Sequence, residues 1–267
     1  MIEAYRKKLW RLEPSRKVMT ESECARFLRE VGFCLIFGSD NISLPKIYDS
    51  SGETDDWWHW KDTLQAKKKA YLARLFAKKA TLVSMEMLPA CLSRYFHGGG
   101  HLVADEEHFY GLLSHGAKRI ADYLEAQGPT PADEIRKALF KKGPEGTRRF
   151  HAHLLELQTK FKVVTVGLRE GPSWGTRILG LFSDWIPGEV VKQAESLSAQ
   201  EAHERVIERF LRTAGAIPMK EWRRHFGDSE ENRAALECLG RQGILFTGRF
   251  GKKEWILHRT YYNHHEK

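Results

Sequence analysis

The chain has 267 residues, of which 42% are hydrophobic and 11% aromatic, and carries a formal net charge of +8. That composition excludes a disordered chain, and the lack of any apolar run of roughly eighteen residues excludes a membrane-spanning helix. The start, Met1-Ile2-Glu3-Ala4-Tyr5-Arg6, is charged at once and has no apolar signal core, so a cytoplasmic protein is expected.

Four scattered cysteines, Cys24, Cys34, Cys91 and Cys238, form no C-x-x-C pair and read as small core hydrophobes in a reducing compartment. The length suits two or three small modules, at roughly 100–200 residues per domain. The positive charge is uneven: Lys67, Lys68, Lys69, Arg74, Lys78 and Lys79 form a run without an acid, and Arg6 to Lys17 forms a second run with only Glu13 against it. Such runs attract polyanions through counterion release, although a basic run alone also reads as a solvated helix face.

In chain order, Thr20 to Glu23 offers a capped start for a helix whose Cys24, Phe27, Leu28 and Val31 share a face, and Gly32 stops it. Phe33 to Phe37 reads as a short buried strand or a tight helix-to-strand step, running into the turn Gly38-Ser39-Asp40-Asn41. Trp57, Trp58 and Trp60 precede a helix from about Lys61 that is expected to carry the Lys67 to Lys79 cations; these rings could stack on bases or pack between helices, and packing is the simpler reading. Ala80 to Met85 reads as a strand and Glu86 to Phe96 as a helix. The loop His97-Gly98-Gly99-Gly100-His101 lacks the further ligands that a metal site needs.

The middle third reads as three helices and a hairpin. Ser114 caps the first, with Ala117, Ile120, Ala121 and Leu124 inside; Pro131 to Glu134 starts the second; about Glu145 to Lys160 makes the third, around Phe150, Leu154 and Leu157. Strands at Phe161–Arg169 and Thr176–Trp185 follow. This is the order of a winged helix-turn-helix, in which the third helix enters the major groove and the hairpin tip touches the backbone. Lys141 and Lys142 then sit in the turn before the recognition helix, Arg148 and Arg149 near its start, and Arg169, Trp174 and Arg177 at the wing.

The order recurs from Val206 onward, with a hairpin over Ile244–Arg259 that carries Arg249, Lys252 and Lys253, and a frayed tail from Tyr261. The expected fold is α+β, mainly helical, with tandem winged helix-turn-helix modules and small β-hairpin wings. Its units are an N-terminal winged-helix-like module (1–113), a central winged helix (114–188) and a C-terminal one (189–267).

Three stretches carry a family resemblance: Leu75 to Pro89, a helix, strand and acidic-apolar-Pro passage; Ala117 to Trp185, the central module; and the loop Gly38 to Ser43. From about Phe27 to Tyr262 the chain resembles the winged-helix DNA glycosylases that unhook crosslinks, the AlkZ/YcaQ-like family. The resemblance implies that a Gln-x-Gln or Gln-x-Asp motif positions a water to hydrolyse an N-glycosidic bond at an alkylated base. By position Asp40 matches its second member, but Gly38 stands where the first glutamine belongs, so the water loses one anchor. Asp55, Asp56 and Glu86 are candidates for a second carboxylate, which sequence alone does not place. Asp40 also suits a turn in which its side chain bonds nearby amides.

The sequence therefore supports a double-stranded-DNA-binding protein linked to DNA repair. An active glycosylase, and a transcriptional regulator or protein-docking module, are the alternatives. No metal or small-molecule cofactor is expected.

Overall fold

In the computed structural model, which describes residues 2–38, 41–54, 56–171 and 175–263, one series of elements occurs three times: helix, short strand, two helices, hairpin. After an N-terminal helix α1 (Ile2–Leu9), the first series comprises α2 (Glu21–Val31), β1 (Phe33–Leu35), α3 (Ile47–Ser50), α4 (Trp57–Ala66), β2 (Ala70–Ala73) and β3 (Thr81–Ser84). Helices α5 (Leu88–His97) and α6 (Ala104–Phe109) lead to the second. It comprises α7 (His115–Gln127), β4 (Thr130–Pro131), α8 (Ala132–Leu139), α9 (Pro144–Thr159), β5 (Val163–Arg169) and β6 (Thr176–Leu181).

Two more helices, α10 (Phe182–Trp185) and α11 (Gly188–Ser196), precede the third series. That series runs through α12 (Ala199–Ala214), β7 (Ala216–Pro218), α13 (Met219–His225), α14 (Glu230–Arg241), β8 (Leu245–Phe250) and β9 (Lys253–His258), and α15 (Arg259–Asn263) follows. Each series makes one antiparallel sheet in which the last strand lies between the other two: β1-β3-β2, β4-β6-β5 and β7-β9-β8. The protein is thus mainly helical with small three-stranded sheets, the α+β class expected. Among the described residues no helix is long and apolar enough to cross a membrane.

Local chemistry sets the helix ends. The Thr20 hydroxyl accepts from the Glu23 amide and the Ser114 hydroxyl from the Ala117 amide, while Gly32 closes α2 at φ 79°, where a side chain would be strained. Ser198 and Glu201 form a reciprocal capping box that satisfies two otherwise orphaned amides of α12. Ser198→Ala is expected to cost about 1 kcal/mol, read as a lower urea midpoint at unchanged slope. An unchanged midpoint would show that the box is solvated rather than stabilising.

Several expectations need correction. Helix α4 stops at Ala66, so Lys67, Lys68 and Lys69 form the turn into β2 instead of a stripe along a helix, with Lys68 at φ 53°. The four residues of β2 are all buried, and a short run buried on both faces has no period by which to tell a strand from a helix. The return strand of the second hairpin ends at Leu181, because Phe182 and Trp185 turn into the core as a short helix. Tyr261 is not frayed: it lies 9% exposed, its ring edge-on to Tyr5 at 5.6 Å.

The Arg6 to Lys17 run works as a strap. Arg6 donates from Nε to the Ala214 carbonyl at 2.9 Å and from Nη2 to that of Ala216 at 2.8 Å. Trp10 reaches the Thr213 carbonyl at 2.8 Å, Arg11 pairs with Glu30 at 3.1 Å, and Lys17 donates to the Asp49 carbonyl. The largest hydrophobic core spans all three series, joining Phe33 and Tyr71 to Phe182 and Trp185 and on to Phe210 and Ile256. Trp185 also donates from Nε1 to the Gln65 carbonyl at 2.8 Å, fixing the second series against α4.

Candidate nucleic-acid interface

Where α4 and the β2–β3 hairpin approach α8, α9 and the β5–β6 hairpin, they leave a cleft of about 520 Å³. Lys61 and Arg74 line it from the first series, and Arg136, His151 and Arg177 line it from the second. These cations feel one another. Burial lowers the pKa of Arg74 and the charge of Arg177 lowers it further; burial also lowers His151, with Arg177 and then Arg136 adding to the effect. Burial depresses Lys61 too, against the pull of Asp62 and with the push of Arg177. Like charges drawn together at a concave surface set up a field that favours an anion.

Two carboxylates share the cleft. Asp133 is already engaged, 2.9 Å from Lys137 and 2.7 Å from Arg169, and the Lys137 hydrogen bond holds it below the usual carboxylate range. Asp62 is 3% exposed; its Oδ2 accepts a hydrogen bond from the Lys61 ammonium, while Oδ1 is buried with no hydrogen-bond partner among the described residues. A carboxylate in this position has acceptor capacity to spare.

Aromatic rings flank the mouth. Phe37 and Tyr48 are 51% and 59% exposed and touch Trp57, with centroids 5.7 and 5.4 Å away; Phe37 also meets Trp58 at 5.3 Å. The Lys61 ammonium sits 3.9 Å from the Trp58 ring centroid. Of the tryptophan cluster, only Trp60 is a core residue; Trp57 and Trp58 are half-buried. Phe37 and Trp58 line the cleft itself.

The residues singled out from sequence are dispersed. Arg74 and Arg177 meet in the cleft. Lys67 is 2.8 Å from Glu21, Lys68 borders a separate hollow with Asp184 and Trp185, and Lys69 is exposed. Lys78 and Lys79 are exposed between β2 and β3, and Lys141 and Lys142 are exposed before α9. Arg148 and Arg149 both lie 2.7 Å from Glu145. Arg169 is tied to Asp133 and Glu134.

On the third hairpin Arg249 and Lys252 are exposed, and Lys253 borders a hollow with Lys220, Arg223 and Arg224. Asp40 and Trp174 lie outside the described residues. The loop histidines have protein partners: His97 Nε2 is 3.0 Å from the Leu197 carbonyl, and His101 Nδ1 is 2.8 Å from Glu106.

Sequence reasoning missed Lys61, Asp62, Arg136 and His151. Arg136 and His151 each adjoin an apolar stripe residue, Ile135 and Phe150, and only the packing of one series against another shows that they converge. Lys61 and Asp62 carried a weak signal, an adjacent opposite pair directly behind three tryptophans.

Comparison with known proteins bears on the whole chain. Among curated proteins no sequence matches it. Among solved structures the fold is similar to that of the Streptomyces sahachiroi DNA glycosylase AlkZ, with a TM-score of 0.59 at 14% identity, covering 98% of this chain and 70% of that one. The family described as AlkZ related matches residues 18–227. That span takes in the first two series, the cleft between them and the start of the third, and the chain belongs to the AlkZ-related family.

Proposed function

We propose that the protein binds double-stranded DNA in the cleft between its first two series and serves DNA repair. The observation that carries this reading is the convergence of Lys61, Arg74, Arg136, His151 and Arg177, from two separate units, on one concave surface. The three repeated units have the element order of winged helices, which dock on duplexes through their third helix and hairpin. Membership of the AlkZ-related family and the likeness to a DNA glycosylase support the link to repair. Phe37 and Trp58 offer faces on which a base can stack, a contact worth about 1–3 kcal/mol per base.

The test is a mobility-shift titration on duplex DNA over a salt series. Binding is expected with a steep negative log–log slope, as phosphate neutralisation releases counterions. Salt-independent or absent binding sinks the proposal.

A second reading, hydrolysis of the N-glycosidic bond of an alkylated or crosslinked base, is favoured by Asp62. Its free Oδ1 would take a proton from water while the water oxygen bonds to C1′ and the base departs with the electron pair of the broken bond. Duplexes carrying a methylated or crosslinked purine are expected to gain abasic sites with wild-type protein and to gain few with Asp62→Asn. If Asp40→Asn alone abolishes turnover, the role falls to Asp40; background levels from wild type across several lesions remove catalysis and leave DNA binding standing.

A further inference from the structure

Arg74 borders a second cavity, of about 290 Å³, which lies among α5, the end of α9, α12 and α13. Arg94, His203 and His225 line it together with Arg74, over an apolar floor that includes Phe76 and Phe161, and no carboxylate lines it. Arg94 is the anomaly. Its Nε is buried with no hydrogen-bond partner, and no carboxylate among the described residues pairs with it. Its guanidinium is 5.9 Å from the Phe226 ring centroid. The neighbouring Cys91 thiol is no counter-ion, because burial pushes it up to about 12 and keeps it neutral.

Each histidine gives one ring proton to a backbone carbonyl and so keeps an acceptor nitrogen. The His225 side chain is 0% exposed, with Nε2 3.0 Å from the Asn41 carbonyl and Nδ1 buried without a partner. His203 spends Nδ1 on the Ala199 carbonyl at 2.7 Å. Arg94 as a whole is partly exposed, and an Nε–H cut off from both water and protein acceptors favours an anion that can reach it. Here the chain supplies none, although the cavity beside it has room for one.

We propose that this cavity binds a phosphate-bearing anion no larger than a mononucleotide, with Arg94 as its main ligand. Arg94 on α5 and Arg74 in the β2–β3 connection reach the cavity as donors, and His203 and His225 keep acceptor nitrogens that can take the proton of a P–OH, which suits a phosphate that both accepts and donates. A planar carboxylate would satisfy only one fork. The apolar floor accommodates the sugar or base attached to the phosphate, and the volume falls at the small end of ligand pockets. The phosphate could belong to a free nucleotide or to the end of a DNA strand. This proposal stands whether or not duplex binds in the larger cleft.

The test titrates inorganic phosphate and dAMP into the full chain by calorimetry, and compares 5′-phosphorylated with 5′-hydroxyl duplex in mobility shifts. Phosphate or dAMP binding that weakens at least tenfold in Arg94→Gln supports the site. Tighter binding of the phosphorylated duplex, lost in the same variant, assigns the strand end as the source, whereas dAMP binding without that preference assigns the free nucleotide. Should Arg94→Gln fold poorly, the arginine Nε–H resonances of the wild type serve instead: a shift of the Arg94 signal on adding phosphate is expected. No binding of phosphate, dAMP or a 5′-phosphate, binding indifferent to Arg94→Gln, or an unmoved Arg94 resonance overturns it.

Discussion

Glu107→Gln is expected to destabilise the protein by about 3–5 kcal/mol, the cost of removing one partner from a buried ion pair. Glu107 on α6 is 0% exposed, and its Oε1 lies 2.7 Å from the ammonium of Lys162, whose side chain is 1% exposed. The same carboxylate accepts from the His101 amide at 3.1 Å and from the Tyr95 hydroxyl, and its Oε2 is 3.3 Å from Lys160. Lys162 sits where α9 passes into β5, so the pair fastens α6 to the second series. Glutamine would preserve the shape and leave the ammonium unneutralised. Glu107→Gln combined with Lys162→Met should recover part of the loss, since no unneutralised charge is then left buried.

The pair also predicts a pH dependence. Burial pushes the Glu107 carboxyl upward, but hydrogen bonds from Lys162, Tyr95 and the His101 amide overcome it and hold the group below its ordinary value. A carboxylate with a depressed folded-state value contributes stability that is fully present above the unfolded value, about 4.3, and is lost as pH falls through the folded one. Urea melts of wild type and Glu107→Gln should therefore differ most near pH 7 and converge on acidification below about pH 4. A difference under about 1 kcal/mol at pH 7, or one that does not shrink in acid, would contradict a desolvated pair.

Reversing both cleft arginines, Arg74→Glu with Arg177→Glu, is expected to abolish most duplex binding. A hydrogen bond to a charged group is worth about 1.5–3 kcal/mol, so losing two costs on the order of 10²–10⁴ in affinity. The salt slope should fall by about one for each lost phosphate contact. Lys67→Glu with Lys69→Glu is the control. Lys67 already faces Glu21 and neither residue lines the cleft, so affinity should stay within about threefold when measured at physiological salt, where remote charges are screened. If the lysine pair proved the more damaging, the duplex would lie on the turn before β2 and the cleft would not be its seat.

Much of the fold was legible because short-range chemistry fixes it. Thr20, Ser114 and Ser229 each accept from an amide three residues on, and the alternation of helices with hairpins in the second and third series follows the apolar periodicity. The strand β2 was not legible, since Ala70 to Ala73 is buried on both sides and carries no period. Nor was the difference between a cation that is free and one that is spent. Arg148, Arg149 and Arg169 look like recognition residues in sequence, yet the first two lie against Glu145 one helical turn away and the third against Asp133 and Glu134 on α8. The cleft was half visible. Arg74 and Arg177 could be picked from their runs, whereas Arg136, His151 and Asp62 meet them only through the packing of Trp185 and Phe182 into the shared core.

The strap made by α1 has a consequence for how the chain is made. The carbonyls gripped by Arg6 belong to residues 208 and 210 positions downstream, and at roughly 5–20 residues per second a ribosome reaches them about ten to forty seconds after it has made the arginine. An eight-residue helix does not hold its shape alone in water. Through that interval the segment that becomes α1 trails as an unfastened amphipathic tether, and its capture waits on the third series.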